Sequence, residues 1–168
     1  EYREPEERVF QIGNLRIKCT YSSDGELAVI CSGRREGFWI CFECGTAFAE
    51  RRENEHRTPY GNRCSSPLRG PFHLGHVFKT DILSISIEST NYLMEFDKSF
   101  WHSLLYAILE GVSQALGIRR GDLDGCLHPS DRGMTLVLFD KVPGGAGHVK
   151  RIMNEENLKE VLKATLSI

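Results

Sequence analysis

The stretch "DKSFWHSLLYAILEGVSQALGI", residues 97–118, is the longest helical pattern in the chain. Asp97 or Ser99 can cap its first turn, and Gly117 can end it in a left-handed conformation. Its apolar side chains recur at the three- and four-residue spacing of one helix face. The predicted apolar face consists of Phe100, Leu104, Ile108, Val112, Ala115 and Leu116. We therefore expect one long amphipathic helix that covers a hydrophobic core.

Strand patterns lie on both sides of this helix. Upstream, "RVFQIGNLRIKCTY" and "ELAVICSG" alternate apolar and polar residues around "SSDGE", residues 22–26, and an Asp-Gly pair favours a tight turn. We expect a hairpin with its turn there, a short strand in residues 37–44 and another strand in residues 74–88. Downstream of the helix, residues 122–129 and 134–141 predict two more strands.

The end of the chain, residues 147–168, predicts one or two helices. Their apolar stripe consists of Leu158, Val161, Leu162 and Leu166. The order of strands, one long helix, further strands and then helices is typical of an α+β domain. We predict a single mixed or antiparallel sheet with one long helix and C-terminal helices.

The composition fits one domain with an ordinary hydrophobic core. The chain has 168 residues, of which 40% are hydrophobic, and its formal net charge is -2. This charge gives no global basic field, and no apolar run approaches the roughly 18 residues that span a bilayer. We expect residues 1–168 to form a single domain of a longer cytoplasmic chain, because the first residue is Glu1 and no signal-peptide pattern is present.

The six cysteines are expected to be reduced thiols, since nothing in the sequence indicates secretion. Cys19, Cys31 and Cys126 lie within apolar alternation. A free cysteine in such a pattern usually behaves as a small hydrophobic residue. We therefore predict that these three side chains are buried.

The segment "WICFECGTAF", residues 39–48, places Cys41 and Cys44 three positions apart, directly before Gly45. Such a pair can direct both sulfurs to one side of a turn and so bind one metal ion. The alternatives are a redox couple and two packed free thiols. A redox couple needs the pair at the start of a helix that follows a strand, whereas a charged loop with proline follows this pair.

The segment 39–72 continues from the cysteine pair into residues 49–72, which are polar and rich in glycine, proline and arginine. A structureless loop as long as residues 49–72 is uncommon in a compact domain. A zinc ion would order it, and His56 and Cys64 complete the pattern C-x2-C-x11-H-x7-C. His73 and His76 are the alternatives to His56 as the fourth ligand. The predicted ligands of this structural zinc site are Cys41, Cys44, His56 and Cys64. The segment is thus predicted to be a zinc-binding insertion, a zinc-bound loop of the α+β domain.

Arginines are frequent in the same insertion. Arg51, Arg52, Arg57 and Arg63 could contact the backbone of a nucleic acid, because phosphate contacts need exposed cations and no base specificity. The alternative is a solvated loop in which neighbouring glutamates cancel the charge.

The stretch "DKVPGGAGHVKRI", residues 140–152, could bind an anion. Successive small residues before a helix can present backbone N–H groups to a phosphate, with lysine and arginine close by. The predicted anion-binding residues are Gly144, Gly145, Gly147, Lys150 and Arg151. The alternative is a tight turn in which glycine is present only because the backbone has a positive φ there.

A carboxylate and histidine cluster would be the basis of a different function. Asp81, Glu110, Asp124 and His76 could together form the centre of a metal-dependent nuclease or phosphoesterase. More often such residues cap helices and tie turns. We find no recognisable catalytic motif and predict no catalytic residues.

Three blocks of the sequence resemble a known family. Residues 74–87, 100–129 and 136–152, including "DLDG" and "D-x-x-PGGAG", resemble the uncharacterised C-terminal domain of superfamily-2 helicase-like proteins and their companions. The preceding "G-F-x-I-C-x-x-CG" is similar to the version in DrmB, a component of DISARM antiphage defence.

The resemblance implies an accessory domain of DNA-processing or antiphage-defence machinery. The partner would be a helicase subunit or a helicase domain of the same longer chain, with DNA as a further partner and no membrane. The ATPase would lie on that other domain or subunit. Cys41, Cys44, His56 and Cys64 correspond to metal ligands in this comparison. A module that binds only protein remains an alternative.

Overall fold

The computed structural model describes residues 4–33, 36–89, 97–130 and 133–168. The strands in these ranges are β1 Glu6–Ile12, β2 Leu15–Cys31, β3 Phe38–Cys41, β4 Ala47–Phe48, β5 His56–Arg57, β6 Arg63–Cys64, β7 Leu68–Phe72, β8 Leu74–Ser89, β9 Leu123–Ser130 and β10 Gly133–Asp140. The helices are α1 Lys98–Leu116 and α2 Glu155–Leu166, with short 3-10 turns at Arg120–Asp122 and Val149–Met153.

The chain divides into two compact units. Unit 1 comprises Glu1–Glu26 and Phe78–Ile168, and unit 2 comprises Leu27–Val77. The predicted zinc-binding insertion, residues 39–72, lies within unit 2. That residues 1–168 behave as one domain stays a prediction.

A five-stranded sheet has the strand order β1-β2-β8-β10-β9. Its pairs β1–β2, β8–β10 and β9–β10 are antiparallel. In unit 1, α1 packs against β9 and β10 on one side and against α2 on the other. The predicted α+β class, with a mostly antiparallel sheet and one long helix, is confirmed. The prediction of a single sheet is wrong, because the described residues also form a three-stranded sheet β4-β3-β7 and a two-stranded sheet β5-β6.

Helix α1 begins and ends as the sequence predicts. The Asp97 side chain accepts a hydrogen bond from the backbone N–H of Phe100 at 2.9 Å, which satisfies a free donor of the first turn. At the other end, Gly117 adopts φ 62° and ψ 35°, the left-handed conformation that stops a helix. Gly111 faces α2, where an added Cβ would overlap Thr165, so this glycine sets how closely the two helices approach.

The core of unit 1 lies between the sheet and the two helices. From α1 it contains Trp101, Leu105, Ile108, Leu109, Val112 and Leu116. The buried face is therefore rotated slightly from the predicted one, since Phe100 is 40% exposed. The sheet contributes Ile17, Cys19, Leu83, Ile85, Leu136 and Leu138. Leu158 and Val161 of the predicted C-terminal stripe are buried, whereas Leu166 is 89% exposed at the end of α2.

The prediction of a hairpin turn at residues 22–26 is wrong. Strand β2 runs without a break through this segment, and the turn lies earlier, where Ile12 pairs with Leu15 across two residues. Gly13 has φ 59° there, as a two-residue turn requires. Gly25 serves a different purpose, because an added Cβ would overlap the side chain of Ile82. The glycine in the strand allows a close approach and does not make a turn.

Of the three cysteines that were expected to be buried, one is buried and two are exposed. Cys19 is fully buried in the core of unit 1, which confirms the prediction for that residue. Cys31, at the end of β2, and Cys126, on the edge strand β9, are exposed, so the prediction is wrong for both. Apolar alternation alone does not show that a strand lies at an edge.

In the described part of the chain, no helix has the length and apolar character required to cross a bilayer.

Candidate metal centre

A tight turn after β3 positions the cysteine pair. The N–H of Gly45 donates to the carbonyl of Cys41 at 2.8 Å, and the N–H of Cys41 donates to the carbonyl of Thr46 at 2.9 Å. Gly45 has φ 77°, a conformation that glycine adopts without strain. The backbone N–H groups of Cys44 and Glu43 hydrogen-bond to the sulfur of Cys41. These N–H groups act to lower the pKa of Cys41, but burial and the hydrogen bonds with Cys44 and Cys64 leave that pKa raised while no metal is bound.

The other two candidate ligands come from a short hairpin. In the antiparallel pair of β5 and β6, His56 lies directly opposite Cys64. Because opposite residues in a ladder have their Cβ atoms about 5 Å apart, this register alone brings the two side chains together. The hairpin and the turn after β3 therefore each supply two donors.

The donor atoms of Cys41, Cys44, His56 and Cys64 lie within 4.8 Å of one another. The sulfurs of Cys41 and Cys64 are 3.8 Å apart, and the sulfur of Cys44 is 3.2 Å from Nε2 of His56. A tetrahedral zinc ion with ordinary bond lengths separates two sulfurs by about 3.8 Å and a sulfur from a nitrogen by about 3.6 Å. The cluster thus has the size and the donor chemistry of a zinc site.

The imidazole of His56 is held in one orientation. Its Nδ1 lies 2.7 Å from the carbonyl oxygen of Asn54, so this nitrogen carries the proton and donates. The lone pair of Nε2 then faces the sulfurs, as in zinc sites whose histidine is fixed by a carbonyl. The ring of Phe48 packs edge-on against the imidazole at 5.8 Å. The structure brings His56 to the cysteines, whereas His73 and His76 lie outside the cluster.

Hydrogen bonding favours the thiolate of Cys44. The side-chain hydrogen bond with Thr46, followed by the N–H of Thr46, lowers the pKa of Cys44 to about 6, and His56 contributes further. The hydrogen bond with Cys44 raises the pKa of His56 in turn. A thiolate at neutral pH is the form of cysteine that binds zinc. Three sulfurs and one nitrogen fill all four tetrahedral positions, so the set has the character of a structural site.

The described arginines of unit 2 are exposed, and several stack on aromatic rings. The guanidinium of Arg51 lies 5.0 Å from the ring centre of Trp39, and that of Arg52 lies 4.8 Å from the ring centre of Phe48. Arg51 and Arg52 line a pocket of about 510 Å³ together with Glu53, Asn54 and Leu68. Stacking holds a guanidinium in one place while its N–H groups still face the solvent.

The other two predicted arginines, Arg57 and Arg63, lie opposite each other on β5 and β6. They line a second pocket, of about 440 Å³, together with Glu55, His56, Cys64 and Ser65. Each pocket is thus lined by two arginines and one glutamate, and the second is lined also by His56 and Cys64 of the cluster.

The backbone donors of the predicted anion site are used within the chain. Gly147 donates to Asp81 at 2.7 Å, while Gly144 and Gly145 donate to the carbonyls of Lys79 and Val142. An added Cβ at Gly145 would overlap the Asp81 carboxylate, since the turn packs directly on it. The N–H groups expected to bind an external anion are thus occupied by acceptors of the protein itself.

A buried carboxylate on β10 binds the rest of this turn. Asp140 is fully buried, and it accepts hydrogen bonds from the N–H groups of Ala146 at 2.8 Å, His148 at 3.0 Å and Val149 at 3.1 Å. Lys150 lies outside the turn, 3.0 Å from Glu6 and over the ring of Tyr21. The turn residues 143–147 are held from inside by Asp81 and Asp140.

The acidic residues of the alternative nuclease hypothesis are not grouped into a metal-binding cluster. Asp81 accepts a hydrogen bond from the hydroxyl of Tyr21 at 2.7 Å, and Glu110 accepts one from Gln114. Asp124 lies 3.8 Å from Lys141. Across the described ranges, the cysteine and histidine cluster is the one group found with three or more ligand atoms close enough to hold a metal ion.

Sequence reasoning missed three contributors to unit 2. Thr46 hydrogen-bonds Cys44, Asn54 orients His56, and Tyr60 stands at the tip of the β5–β6 hairpin with 93% of its surface exposed. The pattern "T-P-Y-G-N" at residues 58–62 is a turn pattern that could have indicated the hairpin. Nothing in the sequence marks the roles of Thr46 and Asn54.

Comparisons with known proteins give one family match and one similar structure. Residues 104–168 match the model of the MrfA Zn-binding domain, a segment that does not contain the four clustered residues. A crystal structure of the DUF1998 helicase MrfA bound to DNA aligns with 98% of this chain at 13% identity and a TM-score of 0.49. The chain spans 19% of that protein. No curated protein matches.

Zinc is the cofactor that these findings support. The cluster has the donor set and the distances of a zinc site, and the matched family model is that of a Zn-binding domain. The cofactor prediction is therefore confirmed, while the assignment of the individual ligands stays a prediction.

Proposed function

We propose that this chain is a non-catalytic, zinc-binding accessory domain of a helicase-associated DNA-processing protein. Cys41, Cys44, His56 and Cys64 hold a structural zinc ion, and the arginines around it contact the phosphates of a nucleic acid. The observation that carries the proposal is the closed set of three sulfurs and one imidazole nitrogen within 4.8 Å. A set with no open position serves structure, because a catalytic zinc ion keeps a position for water or substrate.

The zinc ion, when bound, supplies a cross-link between the turn after β3 and the β5–β6 hairpin. The protein residues do the rest of the positioning. The N–H groups in the turn hydrogen-bond Cys41, Thr46 hydrogen-bonds Cys44, and the carbonyl of Asn54 keeps Nε2 of His56 directed at the sulfurs. Removal of any one ligand leaves the other three without a complete tetrahedron.

Exposed, pre-positioned cations support the nucleic-acid part of the proposal. Arg51 and Arg52 stack on aromatic rings, and Arg57 and Arg63 flank the hairpin. Arginines held in this way need little ordering when they bind phosphate, and they read the backbone without sequence preference. The net charge of -2 for the whole chain gives no global attraction to a nucleic acid, so such binding needs a local cationic surface.

The helicase association rests on two sequence similarities that overlap in residues 104–152. The sequence blocks in residues 74–152 resemble helicase-associated C-terminal domains, and residues 104–168 match the model of the MrfA Zn-binding domain. MrfA is described as a helicase bound to DNA. The partner is accordingly a helicase subunit or a helicase domain of the same longer chain in the cytoplasm. An antiphage role rests on the likeness to DrmB alone and is the finer prediction.

One observation favours a second candidate, a module that binds only protein. Unit 2 exposes several apolar side chains, among them Val29, Ile30, Phe42 and Val77. Exposed apolar side chains are typical of surfaces that contact protein where they lie together. The affinity of such a module for DNA would not rise when the salt concentration is lowered.

Replacing Arg51 and Arg57 together with alanine should weaken DNA binding and reduce its salt dependence. Each phosphate contact contributes about 0.9 to the slope of log affinity against log salt, so the loss of two contacts should lower the slope by about 2. Fluorescence anisotropy with labelled DNA between about 50 and 200 mM salt measures both quantities.

Lys159→Ala combined with Lys163→Ala is the matched control. It removes the same charge from the exposed face of α2, where the two lysines pair with Glu155 and Glu160. The control should bind DNA as the wild type does. Equal slopes for the arginine double variant and the wild type would exclude this surface as the DNA contact.

A further inference from the structure

The β5–β6 hairpin carries an aromatic side chain at its tip. The residues from Thr58 to Asn62 form the turn, and Tyr60 at its centre is 93% exposed. A large aromatic ring that projects into water gains nothing from the fold, because its apolar surface is not removed from solvent. The ring of Tyr60 is therefore accessible to a binding partner.

The turn that displays Tyr60 is held rigidly. The N–H of Gly61 donates to the carbonyl of Thr58 at 2.9 Å, and the N–H of Thr58 donates to the carbonyl of Asn62 at 2.8 Å. The hydroxyl of Thr58 accepts from the N–H of Asn62 at 3.1 Å. Pro59 occupies the second turn position, where its locked φ is favourable, and Gly61 has φ 86°. The backbone beneath the aromatic ring therefore loses little entropy on binding.

Two arginines flank the turn, and their like charges lower the stability of the hairpin. Arg57 and Arg63 are directly opposite each other, and like charges in this arrangement destabilise a β-ladder. Arg57 donates to the carbonyl of Gly61 at 3.3 Å, which directs its guanidinium toward the tip. The two arginines line one pocket together with Glu55, so the cations of this pocket outnumber its carboxylate by two to one. An anion in that pocket would relieve the repulsion between the two guanidinium groups.

The zinc ligands fix the base of the same hairpin. His56 and Cys64 form the pair next to Arg57 and Arg63, so the tip begins two residues beyond the metal cluster on each strand. A two-stranded hairpin alone is only marginally stable in water. Its anchorage at the cluster makes it a rigid projection.

We propose that this hairpin binds an unpaired nucleic-acid strand, with a base stacked on Tyr60 and the adjacent phosphates between Arg57 and Arg63. The inference rests on the proposed function and names the form of nucleic acid that unit 2 recognises. An aromatic ring beside cations is the combination that binds single strands, because every base has a face to stack and every nucleotide has a phosphate. A base within a duplex is already stacked and cannot pack on Tyr60 without being opened.

The test compares single-stranded and duplex DNA on the intact, zinc-loaded chain. Binding of labelled oligothymidine and of a duplex of equal length is measured by anisotropy for Tyr60→Ala and Tyr60→Phe. Tyr60→Ala should weaken single-strand binding at least about fivefold, the factor that corresponds to the lower end of base–aromatic stacking energies. Tyr60→Phe keeps the ring and should stay within about twofold of the wild type, as should duplex binding by both variants.

Tyr106→Ala is the matched control, since Tyr106 lies on α1 in unit 1 and is 60% exposed. It should leave single-strand binding unchanged. A 2-aminopurine base in the strand should change its fluorescence on binding to the wild type and to Tyr60→Phe but not to Tyr60→Ala. The zinc content of each variant shows that the hairpin is still anchored.

Equal single-strand affinities of Tyr60→Ala and the wild type would overturn this inference while the salt-dependent arginine contact remained. An equal loss in Tyr60→Phe and Tyr60→Ala would overturn it too, because the hydroxyl and not the ring would then be required. No salt-dependent binding of any DNA by the wild type would contradict the proposed function as well.

Discussion

Replacing Cys64 with serine should release the zinc ion and unfold unit 2 while unit 1 stays folded. In the described part of unit 2, Cys41 is the one fully buried hydrophobic side chain, so this unit has almost no apolar core to hold it together. Structural zinc binding contributes on the order of 10 kcal/mol in small domains. Unit 1 has a large core of its own between the sheet, α1 and α2.

Hydrogen exchange followed by mass spectrometry distinguishes the two units in one experiment. Amides in β3, β5 and β6 should exchange as an unfolded chain does in Cys64→Ser, and amides in α1 and β10 should remain protected. Cys126→Ser is the control, since Cys126 is an exposed cysteine of unit 1, and it should keep the protection of unit 2. Protection of β5 and β6 in Cys64→Ser would show that zinc does not stabilise this unit.

Replacing Asp140 with alanine should destabilise unit 1 by about 3–5 kcal/mol. The Asp140 carboxylate is fully buried and accepts three backbone N–H groups, from Ala146, His148 and Val149. Without it, these donors face a cavity and have no acceptor, and each buried unpaired donor costs about 1–3 kcal/mol. Urea unfolding followed by the helical circular dichroism signal of α1 and α2, which both lie in unit 1, measures the loss.

Asp124→Ala is the matched control on the neighbouring strand β9. The Asp124 side chain is 43% exposed and lies 3.8 Å from Lys141, so its removal should cost at most about 1 kcal/mol. A loss below about 1 kcal/mol in Asp140→Ala would mean that water satisfies the three N–H groups and that the carboxylate does not hold the turn.

The elements with strong local patterns were predictable from the sequence. Helix α1 follows from its apolar spacing, and its ends follow from Asp97 and Gly117, because helix caps depend on neighbouring residues only. The prediction of a turn at residues 22–26 was wrong because a glycine in a strand pattern can either form a turn or allow a close approach of another residue. Gly25 lies against Ile82, a contact between distant parts of the chain that local sequence does not reveal.

The metal cluster was predictable for a chemical reason. Zinc accepts few donor types, and the spacing of Cys41 and Cys44 directs both sulfurs into one turn. The choice among His56, His73 and His76 could not be made from spacing, since it depends on the register of β5 against β6. That register places His56 opposite Cys64.

The turn at residues 143–147 shows the limit of the same reasoning. Its glycines suggested N–H groups that could bind an external anion, but the sequence did not show that acceptors of the chain itself occupy them. Gly147 bonds to Asp81, a residue 66 positions away. Only the folded sheet brings this carboxylate beneath the turn.

Zinc content, measured by elemental analysis of the chain purified without chelator, tests the central claim most directly. We expect one zinc ion per chain in the wild type and in His73→Ala, and a loss of zinc in His56→Ala and Cys64→Ser. Absence of zinc from the wild type, or one full equivalent retained by His56→Ala, would contradict a zinc site formed by Cys41, Cys44, His56 and Cys64.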